Sequence, residues 1–358
     1  MQSNEFLLYG ANGYTGQLIA KLSATYSLRP VLAGRNEKII RQLAEELQLP
    51  YLIIDLHDTK QLQSSLAGVK LVLHAAGPFQ ITAKPMIDAC IATHTHYIDI
   101  TGEIPVFEMA KRYNDKAVES GIMLMPGVGF DVVPTDCMAL FLKNILPDAT
   151  QLQLAFASAG GSLSHGTATT MVMGLGEGGA VRENGEIVRK PLGHKGMWID
   201  LSKVSGKQKK VFTMTIPWGD ISTAHFTTGI PNIETYTGIS PKIYLFLKFQ
   251  RAFNWLLKTT LVRNYAIKKI NKGPAGPADE TRAKSSSLVW GKVINAGGKT
   301  VQAAMRVKDG YTLTAHSSLL IVQKILAGNI KTGYQTPAAF YGEDLVLEIP
   351  GTKRTPAY

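Results

Sequence analysis

The chain has 358 residues, 45% of them apolar, and a formal net charge of +11. This is the composition of a folded protein, and the length predicts two domains at roughly 100–200 residues each. The two cysteines, Cys90 and Cys137, exclude a disulfide framework and a multi-cysteine zinc site. Both lie in apolar helical contexts and read as buried thiols. The start, Met1-Gln2-Ser3-Asn4-Glu5, lacks the basic and apolar regions of a secretory signal, and no uncharged apolar run is long enough to span a bilayer. The cytoplasm is the default location. The positive charge suits nucleic acid, an anionic membrane surface or an anionic cofactor, and says nothing about fold.

In chain order, Phe6-Leu7-Leu8-Tyr9 reads as a buried strand and Gln17 to Leu22 as a helix. Between them lies Gly10-Ala11-Asn12-Gly13-Tyr14-Thr15-Gly16. Strand, glycine turn and helix open a dinucleotide-binding βαβ unit. The first N–H groups of such a helix lack partners, and its dipole favours a pyrophosphate there. Gly10 allows the tight turn, Gly13 lets the backbone approach phosphates, and Gly16 lets the helix pack close to the sheet. The alternative is a tight turn that binds nothing.

Leu28 to Ala33 reads as the second strand, followed by Gly34-Arg35-Asn36. An acidic residue at this strand end holds the ribose 2′-hydroxyl of NAD, whereas an Arg accommodates the 2′-phosphate of NADP. Arg35 holds that place, so NADP is favoured. Asn36 caps a helix running to about Gln48. Tyr51 to Asp55 is a third strand, with Asp55 placed to meet the adenine edge. Val69 to Ala76 is a fourth, closing in Ala75-Ala76-Gly77-Pro78-Phe79, where small residues leave room for a ligand. A helix is expected from about Lys84 to Thr93, a fifth strand at Tyr97 to Asp99, a helix from about Val106 to Ser120, and a sixth strand at Ile122 to Met125. Six strands alternating with helices argue for a parallel, doubly wound sheet.

Another helix begins at Pro134 and runs to about Asn144. Beyond Pro147 the texture changes to alternating segments such as Gln151 to Phe156 and Phe212 to Ile216, joined by glycine-rich connectors. Val289 to Val293 and Thr300 to Val307 are late strands joined at Asn295-Ala296-Gly297-Gly298, and a helix runs from about Ser317 to Leu326.

The residues Gly10 to Gly16, Ala33-Gly34-Arg35, Ala76-Gly77-Pro78-Phe79, Tyr97 to Glu103 and Gly127-Val128-Gly129-Phe130-Asp131 resemble the saccharopine dehydrogenase-like oxidoreductases. The resemblance includes the branch related to trans-acting enoyl reductases, and Gly276-Pro277 with Glu280 and Arg282, and Gly310-Tyr311 with Thr314-Ala315, resemble that same branch. The resemblance is looser from 150 to 270. It implies a Rossmann domain with a nicotinamide cofactor, and it does not imply saccharopine as substrate.

Hydride transfer needs a reducible C=C, C=N or C=O held against the nicotinamide, and a proton donor. Asp99 and Glu103 lie at or after a strand's carboxyl end, where such sites form; Glu103 equally suits the first turn of a helix. Asp131 either binds substrate or caps the helix beginning nearby. His94 and His96 flank a turn, and their spacing alone does not make a metal site; His165 and His225 fall in the second domain and are candidate acids, against the commoner structural role of a lone histidine. Tyr244 with Lys248 and Tyr265 with Lys269 match a Tyr-x-x-x-Lys pair by coincidence, far beyond the sheet. The catalytic acid is unidentified, and no metal site is expected.

Pro241 to Lys272 carries eight cations, no acidic residue and many large apolar residues. Packing on the second domain or a partner subunit and peripheral contact with a membrane are the two main readings, with nucleic acid a distant third because nothing else in the chain resembles a nucleic-acid module.

The chain is thus read as α/β, with an N-terminal Rossmann-type doubly wound parallel sheet over 1–135. An α+β domain for substrate or oligomerisation spans 136–315, and a C-terminal helix and tail over 316–358 return to the first domain. The expected cofactor is NADP, held by Gly10, Ala11, Asn12, Gly13, Tyr14, Thr15, Gly16, Gly34, Arg35, Asn36, Asp55, Ala76, Gly77, Pro78 and Phe79. Gly102, Glu103, Phe130 and Asp131 are the substrate residues, with the substrate expected between the domains. The expected function is an NADPH-dependent oxidoreductase of a small or lipid-like substrate. The alternatives are a non-catalytic NADP-binding sensor or scaffold and a membrane-associated lipid-binding protein. No nucleic-acid partner is expected, and a homodimer is left open.

Overall fold

The structure, a computed structural model, describes residues 5–159, 164–174, 176–205, 208–249 and 253–358. The chain begins with β1 (Glu5–Tyr9), α1 (Tyr14–Leu22), β2 (Arg29–Gly34), α2 (Glu37–Leu47), β3 (Tyr51–Ile53), α3 (Thr59–Leu66) and β4 (Leu71–His74). It continues with α4 (Phe79–Ala92), β5 (His96–Asp99), α5 (Ile104–Arg112), α6 (Asn114–Glu119) and β6 (Met123–Met125). Then come α7 (Val133–Ile145), β7 (Ala149–Ala159), α8 (His165–Met173), β8 (Gly179–Glu183), β9 (Glu186–Lys190), β10 (Gly196–Asp200), α9 (Ser202–Ser205), β11 (Lys210–Thr215), α10 (Asp220–Thr228) and β12 (Asn232–Gly238). The last part holds α11 (Pro241–Phe249), α12 (Asn254–Leu257), α13 (Thr260–Ile270), α14 (Asp279–Lys284), β13 (Ser286–Asn295), β14 (Thr300–Lys308), α15 (Gly310–Leu326), β15 (Gly333–Tyr334), α16 (Pro337–Tyr341) and β16 (Lys353–Arg354).

Two compact units result: Met1–Asp131 with Tyr311–Phe340, and Val132–Gly310 with Tyr341–Tyr358. In the first, the strands lie in the order β15-β6-β5-β4-β1-β2-β3, and every pairing is parallel. The chain reverses direction between β1 and β4, the switch point of a doubly wound sheet, outside which ligands bind. Strands covered on both faces are apolar at every position rather than alternating, and Phe6, Leu7 and Leu8 are all buried. Leu7 sits between Val31 and Val72 in register. That face packs on Met86 and Ile87 of α4 and Val106 of α5.

The second unit is built on a mixed sheet in the order β10-β11-β12-β7-β13-β14-β16, with β8 joining β12 and carrying β9. β12 runs parallel to β7, whereas β13 runs antiparallel to it with Gly291 opposite Leu154. A Cβ on Gly291 would lie 2.7 Å from side-chain carbons of Leu142 and Met138, so α7 packs directly on β13 at that point.

Several element bounds differ from those read in the sequence. α4 starts at Phe79 and carries Pro85 within it, rather than starting near Lys84. The helix expected from 106 to 120 is two helices, broken at Tyr113 with ψ 0°, whose hydroxyl donates to Asp88. β3 stops at Ile53, leaving Asp55 two residues beyond the strand. α15 starts at Gly310 rather than Ser317. The tail expected to return in one piece divides at Phe340, because β15 pairs with β6 and β16 pairs with β14.

Candidate functional site

The turn after β1 is shaped by two close approaches. Gly10 has φ +89°, in the left-handed region, and a Cβ there would lie 2.7 Å from the backbone of Ala75 and Ala76. A Cβ on Gly16 would lie 2.2 Å from the Gly10 carbonyl oxygen. Glycine is therefore the residue that lets α1 sit against the turn and the turn against the end of β4. The N–H groups of Gly10 and Ala11 donate to the Ala33 carbonyl at 2.8 and 3.2 Å, tying the turn to β2. Gly13 is the N-cap of α1, with no side-chain cap and no acidic residue in the first turn. The positive end of the helix is left to an anion from outside. A Cβ on Gly34 would lie 2.5 Å from Asn12 Oδ1, so the Asn12 side chain lies across the end of β2.

Arg35 follows β2 and is exposed. Burial pushes the Tyr9 phenol up to about 12, with the Arg35 charge opposing and the Asp55 charge adding. Arg35 and Asp55 thus both lie near the carboxyl end of β1. The Asn36 carboxamide accepts the Ile39 N–H at 3.2 Å and caps α2, as the sequence indicates. Asp55 Oδ1 accepts the His57 N–H at 3.0 Å.

At the ends of β4, β5 and β6 lies a second cluster. Both oxygens of Glu103 are committed: Oε1 accepts the Phe79 N–H and Oε2 the Gln80 N–H, each at 3.0 Å. Glu103 is the N-cap of α5, yet its carboxyl serves the first turn of α4. Asp99 is equally bound. Its Oδ2 accepts the Tyr97 hydroxyl at 2.7 Å, and its Oδ1 accepts the N–H groups of Thr101 and Gly127, each at 2.9 Å. Burial lifts the Asp99 carboxyl to about 6 against these hydrogen bonds. Asp99 joins the ends of β5 and β6.

Asp131 is different. Its carboxyl lies against Gly102, where a Cβ would come within 2.4 Å of Oδ2. Among the described residues no hydrogen-bond donor is recorded on that carboxyl. Burial first, and then the Glu103 charge, lift it to about 7. A carboxyl with that value holds its proton for half the time near neutrality. The loop carrying it is held by α15: Phe130 N–H donates to Thr314 Oγ1 at 2.9 Å, and Ser317 Oγ donates to the Val128 carbonyl at 2.6 Å.

His74, at the end of β4, was not marked by the sequence reading. It is fully buried and stacked on Tyr9 at 5.4 Å. Its Nε2 lies 3.0 Å from Thr82 Oγ1, which itself donates to the Ala76 carbonyl at 2.6 Å. Burial depresses the imidazole to about 3, so it is neutral and fixes the Ala75–Phe79 turn rather than carrying charge. A lone polar residue ending a buried apolar strand is the signal that marks it. The four histidines weighed as candidates bond to backbone groups. His94 meets the Ser120 carbonyl, His96 the Met123 N–H, His165 the Gly273 carbonyl and His225 the Ile230 carbonyl. Among the described residues no group of three or more His, Cys, Asp or Glu is placed to hold a metal ion. Tyr244 and Tyr265 lie on α11 and α13 of the second unit.

Taken together, a parallel sheet with its switch point at β1/β4, an uncapped α1 and a glycine cradle define a dinucleotide-binding protein. Residues 6–125 match the family model of the saccharopine dehydrogenase NADP binding domain. These residues, about a third of the chain, thus form a domain of the saccharopine dehydrogenase NADP-binding type. The chain is 26% identical over 202 residues to the saccharopine dehydrogenase-like oxidoreductase of Mus musculus, covering 49% of this chain and 47% of that protein. A lipid droplet localized protein of Caenorhabditis elegans is 26% identical over 211 residues, 54% of this chain and 49% of that one. A candidate trans-acting enoyl reductase of Mycobacterium tuberculosis is 30% identical over 182 residues, 47% of this chain and 43% of the other. The chain spans about half the length of the curated relatives it matches. The apo saccharopine dehydrogenase (L-Glu forming) of Saccharomyces cerevisiae has the same fold, with a TM-score of 0.66 over 99% of this chain and 100% of that one at 12% identity.

Proposed function

We propose that the protein is an NADPH-dependent reductase of a C=C, C=N or C=O bond in a small or lipid-like substrate, with Asp131 as the source of the proton. The observation that carries this reading is the Asp131 carboxyl, unbonded, set against Gly102 and lifted to about 7. A sensor or scaffold has no need of such a group, whereas a reductase needs one acid within reach of its substrate.

When bound, NADPH supplies the hydride. The chain's own residues do the rest. The uncapped start of α1 and the Gly10–Gly16 turn receive the diphosphate, and Arg35 reads the 2′-phosphate. Glu103 holds the start of α4, and with it the Ala76–Phe79 turn, in place. Its fixed charge also keeps the Asp131 proton on. Asp131 gives that proton to the substrate atom left electron-rich by hydride addition and recovers it from water. The proposed compartment is the cytoplasm.

The test is NADPH oxidation across a panel of enoyl, imine and carbonyl compounds. Asp131→Asn should lower kcat by about a hundredfold or more, the usual worth of a positioned general acid, while NADPH affinity stays unchanged. Full activity in the variant, or no turnover of any of the three bond classes, would remove the reading.

A further inference from the structure

Most large apolar residues of this chain that face solvent do so singly. The exception is the stretch from α11 to α13. Eight of the nineteen exposed large apolar residues among the described ones fall there: Ile243, Leu245, Phe246, Phe253, Trp255, Leu256, Leu261 and Tyr265. Phe246 is 74% exposed, Trp255 71% and Leu261 84%. Such a concentration marks an interaction surface rather than the ordinary scatter.

The inward contacts account for other residues. The Tyr244 ring packs on Phe212 of β11 at 5.1 Å, anchoring α11 by one side. Arg263 reaches Glu177 at 2.9 Å and Lys258 reaches it at 3.3 Å, fixing α12 and α13 to the loop before β8. Those two cations share the single negative charge of Glu177. Lys242, Lys268, Lys269 and Lys272 have no ion-pair partner among the described residues, and Lys248 lies over the Tyr244 ring at 4.9 Å. From Pro241 to Lys272 the chain has eight cations and no acid.

We propose that α11–α13 form a peripheral docking surface for an anionic lipid membrane. Phe246, Trp255 and Leu261 enter the acyl boundary, and Lys242, Lys268, Lys269 and Lys272 meet the headgroup phosphates. Charge selects this occupant. A second copy packed on the same face about a two-fold axis would set these cations against themselves with no acidic residue to answer them. Nucleic acid would use the aromatic rings for stacking but has no use for Ile243, Leu245, Leu256 and Leu261. No helix among the described residues is long and apolar enough to cross a membrane, so the stretch lies in the interface.

The test is cosedimentation of the full chain, without cofactor, with vesicles of phosphatidylcholine alone or of equal parts phosphatidylcholine and phosphatidylglycerol. The wild type should bind the anionic vesicles at low salt and not the neutral ones. Lys268→Gln with Lys269→Gln should weaken binding by about thirtyfold. Phe246→Ala with Trp255→Ala and Leu261→Ala should weaken it by at least about a hundredfold. All five side chains are exposed, so both variants should keep the wild-type melting temperature. Trp255 should shift its emission to the blue on binding, a change absent in Trp255→Phe. The proposal is overturned if the wild type stays in the supernatant with anionic vesicles, or if both variants bind as it does. It is equally overturned if the triple variant abolishes a concentration-dependent dimer that ignores vesicles.

Discussion

The Asp131 carboxyl gives a prediction that needs no substrate. Burial and the Glu103 charge take it from an ordinary 3.8 to about 7 in the folded chain. The folded value is raised, so the protonated form is the one that the fold prefers. Its contribution to stability is present in full below about pH 4 and is lost as pH rises through about 7. A displacement of that size corresponds to about 4 kcal/mol, reduced to about 2–4 kcal/mol because the residue keeps some contact with solvent. Asp131→Asn cannot ionise and removes the pH-dependent part alone. Urea unfolding of the first transition, measured from acid to mildly alkaline pH, should show the wild type losing this stability across the window while the variant does not. The difference between the two curves should grow by about 2–4 kcal/mol in favour of the variant. Any constant cost of the amide subtracts out. Parallel curves would mean that the carboxyl is solvated and ionised throughout, and the case for Asp131 as a proton donor at neutral pH would go with it.

Gly16→Ala places a Cβ 2.2 Å from the Gly10 carbonyl and 2.8 Å from Ala11 Cα, both rigid backbone atoms. It should cost about 1–3 kcal/mol of stability and weaken NADPH binding, read by urea unfolding and by nucleotide titration. Thr314→Val removes the hydroxyl that accepts the Phe130 N–H. It should destabilise the fold by about 1–3 kcal/mol in urea and loosen the loop that carries Asp131.

The first unit was legible in the sequence because its strands are buried on both faces and read as apolar runs broken by glycine and helix caps. Phe6 to Tyr9, Leu71 to His74 and Met123 to Met125 all behave this way. β15 is only two residues long and leaves no pattern. The start of α4 was misplaced because its amides are satisfied by Glu103, 24 residues away, which no local rule can see. The first turns of α15 were missed because Gly310, Tyr311 and Thr312 are weak helix formers. One signal was present and passed over. Glu183-Asn184-Gly185-Glu186 joins β8 and β9, with φ 50° at Asn184 and 86° at Gly185, and Asn-Gly is the strongest short hairpin sequence. The site divides in the same way. The places of the glycine turn after β1 and of Arg35 after β2 follow from spacing alone, whereas the separation of Asp131 from Asp99 and Glu103 rests on which carboxyl the fold leaves unbonded. Arg251, one of the eight cations counted between Pro241 and Lys272, lies outside the described residues, and what is described there is α11, α12 and α13.

The central claim is that the first unit binds NADP(H) at the Gly10–Gly16 turn and reads its 2′-phosphate through Arg35. Calorimetric titration of the wild type and Arg35→Ala with NADPH and with NADH tests it most directly. A hydrogen bond to a charged group is worth about 1.5–3 kcal/mol, so the variant should bind NADPH about ten- to a hundredfold more weakly while NADH affinity stays where it was. Equal losses for the two nucleotides, or equal wild-type affinity for both, would contradict the account.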